Sequence, residues 1–348
     1  MTKNKVTQYD FAYSVGLIRT LEALLLNENE VERMLLGKNA EESFKILNET
    51  DYANNKGGVV DPANFQKIID EGLLEIRDRL EKICPDHRIL NILWMEYDFH
   101  NIKTMLKAKL SGKTFKDIEN LMSKMGKINI IKLKNYIFDN INEDWNLYPK
   151  TEIYIKKRIN DVQDLFEKTN KNPQVIDLFL DQKMMKIIWH KAVDSKSEFL
   201  KNYIQLFIDL HNIRLFFRMK ATDKDIKMYE YGFLWNGTND WLKMKDAYKD
   251  SLDDFPDFMN FSKYHKIIEE GYKHYQKEGT LIFLEKEIEN YLISYIKKAK
   301  YQAFGPEPLI AYFLAKKNNA LIIRMILINK LNQIDPEEIR VRLRKLYV

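Results

Sequence analysis

The chain has 348 residues, one cysteine, and a formal charge of +5 left by 56 basic and 51 acidic side chains. One cysteine excludes an internal disulfide framework, and so small a net charge lacks the clustered basicity of proteins that bind nucleic acid. Only 12 glycines and 8 prolines interrupt the chain, which favours long helices over many short strands. We therefore predict an all-α fold with no nucleic-acid partner.

The apolar stretches are too short to cross a bilayer. The most apolar run, residues 320–328, contains Arg324, and no stretch approaches the roughly 18 uncharged apolar residues of a spanning helix. The first residues carry no signal-peptide pattern. We expect a cytoplasmic protein whose membrane contact is peripheral.

The first predicted elements are helices at about 10–27 and 31–36, followed by a loop at 54–58. Asp61-Pro62 is the pattern of a helix start. A stripe of apolar side chains at helical spacing then predicts a helix that Pro85 ends. The stripe consists of Phe65, Ile68, Ile69, Leu73, Ile76 and Leu80.

A segment of the next predicted helix, at about 88–110, recurs twice later in the chain. Asp98-Phe99-His100-Asn101-Ile102-Lys103 returns as Asp209-Leu210-His211-Asn212-Ile213-Arg214, and a fainter copy, Leu321-Ile322-Ile323-Arg324, follows at nearly the same spacing. All three copies share an isoleucine, a basic residue, two apolar positions and a final lysine. Repetition with a period of about 111 residues predicts three similar helical domains, at 1–114, 115–221 and 222–348.

Breaks and caps delimit the other repeat helices. In the second domain a long helix is predicted at about 151–168, and the capping-box pattern Ser195-Lys196-Ser197-Glu198 starts the second repeat helix. Gly305-Pro306-Glu307-Pro308 precedes the third. Asp335-Pro336 begins a last helix, and we expect the apolar end, Leu346-Tyr347-Val348, to be docked.

Two sequence patterns resemble ligand-binding motifs, but neither meets the requirements of such a site. Ser111-Gly112-Lys113-Thr114 looks like the end of a P-loop, but Lys107 stands where the first glycine is required. The Asp-x-His pairs at 98–100 and 209–211 cannot converge on one ion, because residues two apart on a helix point about 200° from each other. A helix-packing or interhelical hydrogen-bond role is expected for them. We predict no catalytic, cofactor-binding or metal-binding residue and no enzyme activity.

The tryptophans and the cysteine favour structural roles. Trp94, Trp189, Trp235 and Trp241 are not interleaved with dense basic runs, so we assign them to the core rather than to a platform that stacks on nucleic acid. Cys84 has no histidine or asparagine constellation around it in the sequence and is predicted to be a buried or half-buried thiol.

Several parts of the chain resemble the C subunit of the bacterial and archaeal V/A-type ATPases, the counterpart of the d subunit of eukaryotic V-ATPases. Their order and spacing over essentially the whole chain carry the resemblance, more than any one motif. The parts are 19–25 with 48–52, 97–103 with Lys109 and Gly112-Lys113, 304–312, and Ile339-Arg340 with 346–348.

The resemblance implies three helical domains about a pseudo-threefold axis, forming a funnel. It implies a non-catalytic rotor subunit, without cofactors, on the cytoplasmic face of the membrane rotor ring, where it receives the central stalk and transmits torque. The expected partners are the central stalk subunits and the proteolipid loops of the ring, and membrane contact is made only through the ring. The residues alone also allow a helical-repeat adaptor unrelated to any ATPase.

Six basic residues of the repeat are candidates for partner contacts. The three that follow the isoleucine form a ridge, which is either a solvated face or, if the resemblance holds, a seat for the stalk. The three final lysines either cover the apolar stripe with their stems or contact an acidic partner. The first set is Lys103, Arg214 and Arg324, and the second is Lys109, Lys220 and Lys330.

Overall fold

The computed structural model describes residues 6–50 and 65–348, and in these ranges it contains helices and no strand. The all-α prediction is confirmed. The predicted loop at 54–58 and the predicted helix start at Asp61-Pro62 lie outside the described residues. The chain divides into two compact units, Met1–His87 with Phe261–Val348, and Arg88–Asn260.

The first unit brings the two ends of the chain together around one long helix, α15. This helix contacts α1, α2, α3, α4, α14 and α16. The helices of the unit are α1 (Ala12–Glu22), α2 (Glu28–Leu36), α3 (Ala40–Glu49), α4 (Phe65–Ile83), α13 (His265–Glu278), α14 (Ile282–Ile296), α15 (Glu307–Leu331) and α16 (Pro336–Arg342).

The sequence predictions for α4 and α16 are confirmed. All six residues of the predicted stripe on α4 are buried. Asp335 caps α16, its side chain accepting from Glu337 N at 2.8 Å. Beyond α16, Leu346 and Tyr347 are buried, so the apolar end of the chain is docked.

The second unit contains the other two repeat helices, α5 and α9. Helices α7 and α8 pack against each other, and α8 also contacts α9 and α10. The helices are α5 (His87–Leu110), α6 (Ile130–Asp139), α7 (Pro149–Lys168), α8 (Gln174–Asp194), α9 (Glu198–Ala221), α10 (Ile226–Gly232), α11 (Trp241–Ala247) and α12 (Phe255–Phe258).

The ends of the three repeat helices agree closely with the sequence signals. Gly112, at φ +76°, follows α5, and Gly305, at φ +96°, precedes α15. One cap differs: the N-cap of α9 is Ser197, whose side chain accepts from Leu200 N, so the capping box that began at Ser195 is wrong. Ser197 has extended backbone angles, as an N-cap requires. The division into three domains stays a prediction.

Candidate functional site

Asn101 of α5 and Asn212 of α9 each bind the backbone of a loop further along the chain. Asn101 Nδ2 donates to Ser123 O and Asn101 Oδ1 accepts from Ser123 N, both at 2.8 Å. Asn212 makes the same two bonds to Leu234, also at 2.8 Å. A side-chain amide offers one donor group and one acceptor, so it binds a residue's N–H and C=O together. The two loops are held in the same register.

Asp98 and Asp209, one turn earlier, hold the next part of these loops. Asp98 Oδ1 accepts from Ile128 N at 2.8 Å, and Asp209 Oδ1 accepts from Asn239 N at 3.2 Å. Asp209 Oδ2 also accepts from Thr238 Oγ1 at 2.6 Å. The two aspartates are 3% and 0% exposed, so these donors replace the water that a carboxylate needs. The two aspartates thus form hydrogen bonds to the backbone of a loop, whereas the sequence predicted helix packing or hydrogen bonds between helices.

Each loop carries a glycine that allows the loop backbone to lie close to the aspartate side chain. A Cβ at Gly126 would meet Asp98 Oδ1, and a Cβ at Gly237 would meet Asp209 Oδ1, both well inside van der Waals contact. The two glycines are separated by the same stretch of sequence as the two aspartates. Neither glycine was predicted from the sequence, although the repeat period alone would have paired them.

The third copy of the segment, on α15, binds the beginning of the chain. Asn319 takes the place of the two aspartates. In the amide orientation that satisfies its neighbours, its Oδ1 accepts from Leu26 N at 2.8 Å. Ile322 takes the place of the two asparagines, and an aliphatic side chain cannot form their backbone pair. The weaker sequence match of this copy therefore reflects a reduced set of polar contacts.

The three contacts are equivalent because each reaches the residue just before the N-cap of a short helix. That residue's amide is bound by Asp98, Asp209 or Asn319, and the next residue caps the helix with its side chain. The N-caps are Asn27 for α2, Asn129 for α6 and Asp240 for α11.

The final lysine of each segment reaches the other end of the same short helix. Carbonyl groups at a helix C-terminus lack intrahelical donors and carry the negative end of the helix dipole, so an ammonium group stabilises them. The bonds are Lys109 to Ile137 O, Lys220 to Tyr248 O (3.1 Å) and Asp250 O (2.7 Å), and Lys330 to Gly37 O (2.6 Å).

Two of the three residues of the basic ridge form ion pairs with aspartates. Lys103 Nζ lies 2.7 Å from Asp181 Oδ1 on α8, and Arg324 pairs with Asp70 on α4. Asp70 and Asp181 have the same spacing in the sequence as Asp98 and Asp209, so these pairs follow the repeat. The Lys103 and Arg324 side chains are 20% and 23% exposed, which differs from a fully solvated face. Whether the ridge contacts a partner stays a prediction.

Arg214, the remaining ridge residue, lies near His211 on α9. Burial, and then the charges of Arg214, Arg218 and Lys103, lower the pKa of His211 to about 3. The imidazole is therefore neutral at physiological pH, and it stacks on Phe207 with ring centroids 6.2 Å apart. The positive charge of this region comes from arginine and lysine side chains.

A network in the first unit joins residues from both ends of the chain. Arg19 Nη1 lies 2.7 Å from Glu22 Oε2, and Arg19 Nη2 donates to the carbonyls of Ala299 and Gln302, both at 2.8 Å. Tyr347 OH donates to Glu22 Oε1 at 2.9 Å. Burial, with the charge of Glu22, raises the pKa of Tyr347. One guanidinium thus links α1 to the segment before α15.

The core predictions hold for Trp94 and Cys84 but not for Trp235. Trp94 is 0% exposed, and burial raises the pKa of the Cys84 thiol to about 12. Trp235 is 45% exposed, so its assignment to the core is wrong. It lies on the loop held by α9, where it contacts Phe233 and Trp241.

Residues 6–50 and 65–348 contain neither a cluster of metal-ligating side chains nor a helix suited to span a membrane. No group of three or more His, Cys, Asp or Glu side chains there is arranged to hold a metal ion. No helix in the same ranges has the length and apolar content needed to cross a membrane.

Most residues that form the contacts described above lie in a range that matches one protein family. A family model described as ATP synthase (C/AC39) subunit matches residues 14–342. The chain belongs to this family. The match includes all three repeat segments and the short helices that they hold, so this anchoring is part of a C/AC39 subunit.

Relatives within the C/AC39 family match most of the chain's length. The C subunit of the A-type ATP synthase of Methanocaldococcus jannaschii is 23% identical, over 98% of this chain and 88% of its own. The C subunit of the V-type sodium ATPase of Enterococcus hirae is 24% identical, over 95% of this chain and 97% of its own. The predicted resemblance to these C subunits is confirmed at the level of the family.

Proposed function

We propose that the chain is a non-catalytic central-rotor subunit of a V/A-type ion-translocating ATPase. It links the central stalk to the membrane rotor ring and transmits torque between them. The family match over residues 14–342 carries this proposal. It is supported by relatives named as the C subunits of A-type ATP synthases and of a V-type sodium ATPase. An adaptor unrelated to any ATPase does not agree with this family membership.

The anchoring of the short helices suits a part that must resist twisting. Helices α2, α6 and α11 are each fixed at both ends to a helix of 24 or 25 residues. Buried hydrogen-bond networks that are fully satisfied rigidify the structure around them. A stiff body transmits torque without absorbing it in internal motion.

We place the subunit peripherally on the cytoplasmic face of the membrane, with membrane contact only through the proteolipid loops of the ring. Three repeat domains, at 1–114, 115–221 and 222–348, would surround a pseudo-threefold axis. Lys103, Arg214 and Arg324 would seat the stalk. Lys109, Lys220 and Lys330 support the seat by fixing the short helices, because their ammonium groups bind helix ends.

The test is reconstitution of the ATPase with and without this chain. Without it, ATP hydrolysis by the head should no longer drive ion transport through the ring, and adding the purified chain should restore coupling. Coupling that survives intact without the chain would rule out the rotor role.

The stalk seat has its own test, which separates charge from folding. Reversing Lys103, Arg214 and Arg324 to Glu should weaken binding of the purified stalk, most strongly at low salt. The matched control exchanges Lys103→Asp with Asp181→Lys, which keeps the internal ion pair and the net charge. Unchanged stalk binding by the triple variant at both low and high salt would remove these residues from the seat.

A further inference from the structure

Helices α6 and α11 begin with a second repeated pattern, separate from the segment on the long helices. From the N-cap, Asn129-Ile130-Ile131-Lys132-Leu133-Lys134 matches Asp240-Trp241-Leu242-Lys243-Met244-Lys245, at the spacing of the first two repeat segments. Leu133 and Met244 are buried, at 0% and 1% exposure. The two helices therefore turn the same face inward and the same positions outward.

The outward positions carry an aliphatic side chain beside lysines. Ile131 is 56% exposed and Leu242 is 67% exposed. The first five residues of each helix include two lysines and no acidic residue. A single exposed aliphatic residue needs no explanation. An apolar side chain flanked by lysines at the same position in both copies, however, marks an interaction surface.

The third copy, on α2, shows that the scaffold does not demand this surface. Val31 is buried at 8% exposure, in the place of Leu133 and Met244, and the anchors at both helix ends are equivalent. Yet the outward position is the exposed Asn29, and the first five residues of α2 contain three glutamates and no lysine. The inward chemistry is kept while the outward charge is reversed.

Nearby acidic groups offset part of the lysine charge on both surfaces. On α6, Lys134 pairs with Asp139 at 2.5 Å, whereas Lys132 donates to the neutral carbonyl of Asp144. On α11, both the N-cap Asp240 and Asp246 are acidic, and Asp246 pairs with Lys249 at 2.8 Å. Lys243 is exposed beside Leu242.

We propose that the outward faces of α6 and α11 bind acidic segments of a partner subunit, each placing an apolar side chain against Ile131 or Leu242. This rests on the proposed function, because the partner is a subunit of the rotary ATPase. Complementary charge steers such a segment and fixes its register. Glu32 of α2 pairs with Arg340, but Glu28 and Glu30 repel such a segment, so the partner distinguishes α2 from the other two helices.

The main variant gives α11 the outward residues of α2: Leu242→Asn, Lys243→Glu and Lys245→Glu. Asp240 and Met244 stay, so the cap and the buried contact are kept. Purified central stalk and purified rotor ring are titrated separately onto the chain. The partner that binds the wild type should bind the variant about tenfold more weakly at low salt, with a smaller difference at high salt.

A matched control makes the same chemical change in the first unit. Phe261→Asn, Lys266→Glu and Lys277→Glu replace one exposed apolar residue and two exposed lysines at or near α13. This variant should bind like the wild type. Lys243→Glu alone should weaken binding in the same direction by less, and it serves if the triple variant does not fold by circular dichroism.

The outcomes separate this inference from the proposed function. If the wild type binds neither stalk nor ring, both fail. If the wild type binds and the α11 variants bind equally well, only this inference fails. An equal loss in the α13 control would indicate a general charge effect and overturn it. Sedimentation in which the wild type self-associates and the α11 variant does not would make a second copy of the chain the occupant, which also overturns it.

Discussion

The buried Asp and Asn side chains of the repeat act on the backbone and not on a ligand. Asp98 and Asp209 accept hydrogen bonds from the backbone N–H groups of a loop, and Asn101 and Asn212 each bind the N–H and C=O of one residue. A buried carboxylate without such donors would cost several kcal/mol. Polarity at these positions is therefore a condition of the fold.

The glycines beside the aspartates give the first prediction. Gly126→Ala and Gly237→Ala should each lower the free energy of unfolding by about 1–3 kcal/mol, because the new Cβ pushes the loop away from the carboxylate that it satisfies. Urea unfolding measures the change. Gly16→Ala is the control, since a Cβ there meets nothing within 4 Å. Wild-type stability in both loop variants would contradict the close approach.

His211 gives a prediction about pH. Its pKa is lowered to about 3 in the folded chain, so between pH 3 and about 6.5 the unfolded chain binds a proton that the folded chain does not. Stability from the neutral ring is full above pH 6.5 and is lost as the pH falls. Between pH 7 and 5, wild type should lose on the order of 2 kcal/mol more than His211→Gln. Equal acid sensitivity in urea unfolding would contradict the lowered pKa of His211.

The short helices α2, α6 and α11 are each positioned by one long helix. Each is held before its N-cap by a carboxylate or amide and at its C-terminus by a lysine, and such ends otherwise depend on water. Helices of 7 to 10 residues are marginal alone, so tertiary anchors decide whether they form.

Removing one lysine anchor should therefore destabilise its helix. Lys330→Met keeps the apolar stem but removes the donor to Gly37 O, and we expect a loss of about 1–2 kcal/mol in the free energy of unfolding. Lys277→Met, in the exposed last turn of α13, is the control and should change stability little. Hydrogen exchange should locate the loss in α2. Faster exchange spread evenly over the first unit would argue against a local anchor.

Sequence patterns predicted the long helices well and their contacts poorly, for a physical reason. Periodicity and caps are local, so the buried stripe of α4 and the glycine after α5 were readable. Ile128, which donates to Asp98, lies 30 residues away in a loop, and Leu26, which donates to Asn319, lies near the start of the chain. No local pattern reports such contacts. The repeat on α6 and α11 was readable from its spacing and was missed.

At the scale of the whole chain, the first unit depends on both termini. Helix α15 buries its surface against α1, α3 and α4, which come from the start of the chain. Arg340 of α16 also binds Glu32 of α2, with Nη2 to Oε1 at 2.8 Å. The chain begins and ends in one unit, and Arg88–Asn260 is an insertion within it.

This arrangement predicts how fragments behave. The fragment 87–260 should fold alone, because both of its repeat helices keep their short helices and loops. The fragment 261–348 should be largely unfolded, since Asn319 and Lys330 lose Leu26 and Gly37 and α15 exposes its buried faces. Mixing it with fragment 1–87 should restore helix content beyond the sum of the two.

The five tryptophans allow the two units to be followed separately in the intact chain, because all of them lie between residues 94 and 241, in the second unit. In the intact chain, tryptophan fluorescence follows the second unit alone, whereas far-ultraviolet circular dichroism follows both. Lys330→Met should shift the dichroism transition to lower urea and leave the fluorescence transition in place. Gly237→Ala should shift the fluorescence transition. A coincident shift of both signals in both variants would mean that the two units unfold as one, and would contradict their separate stability.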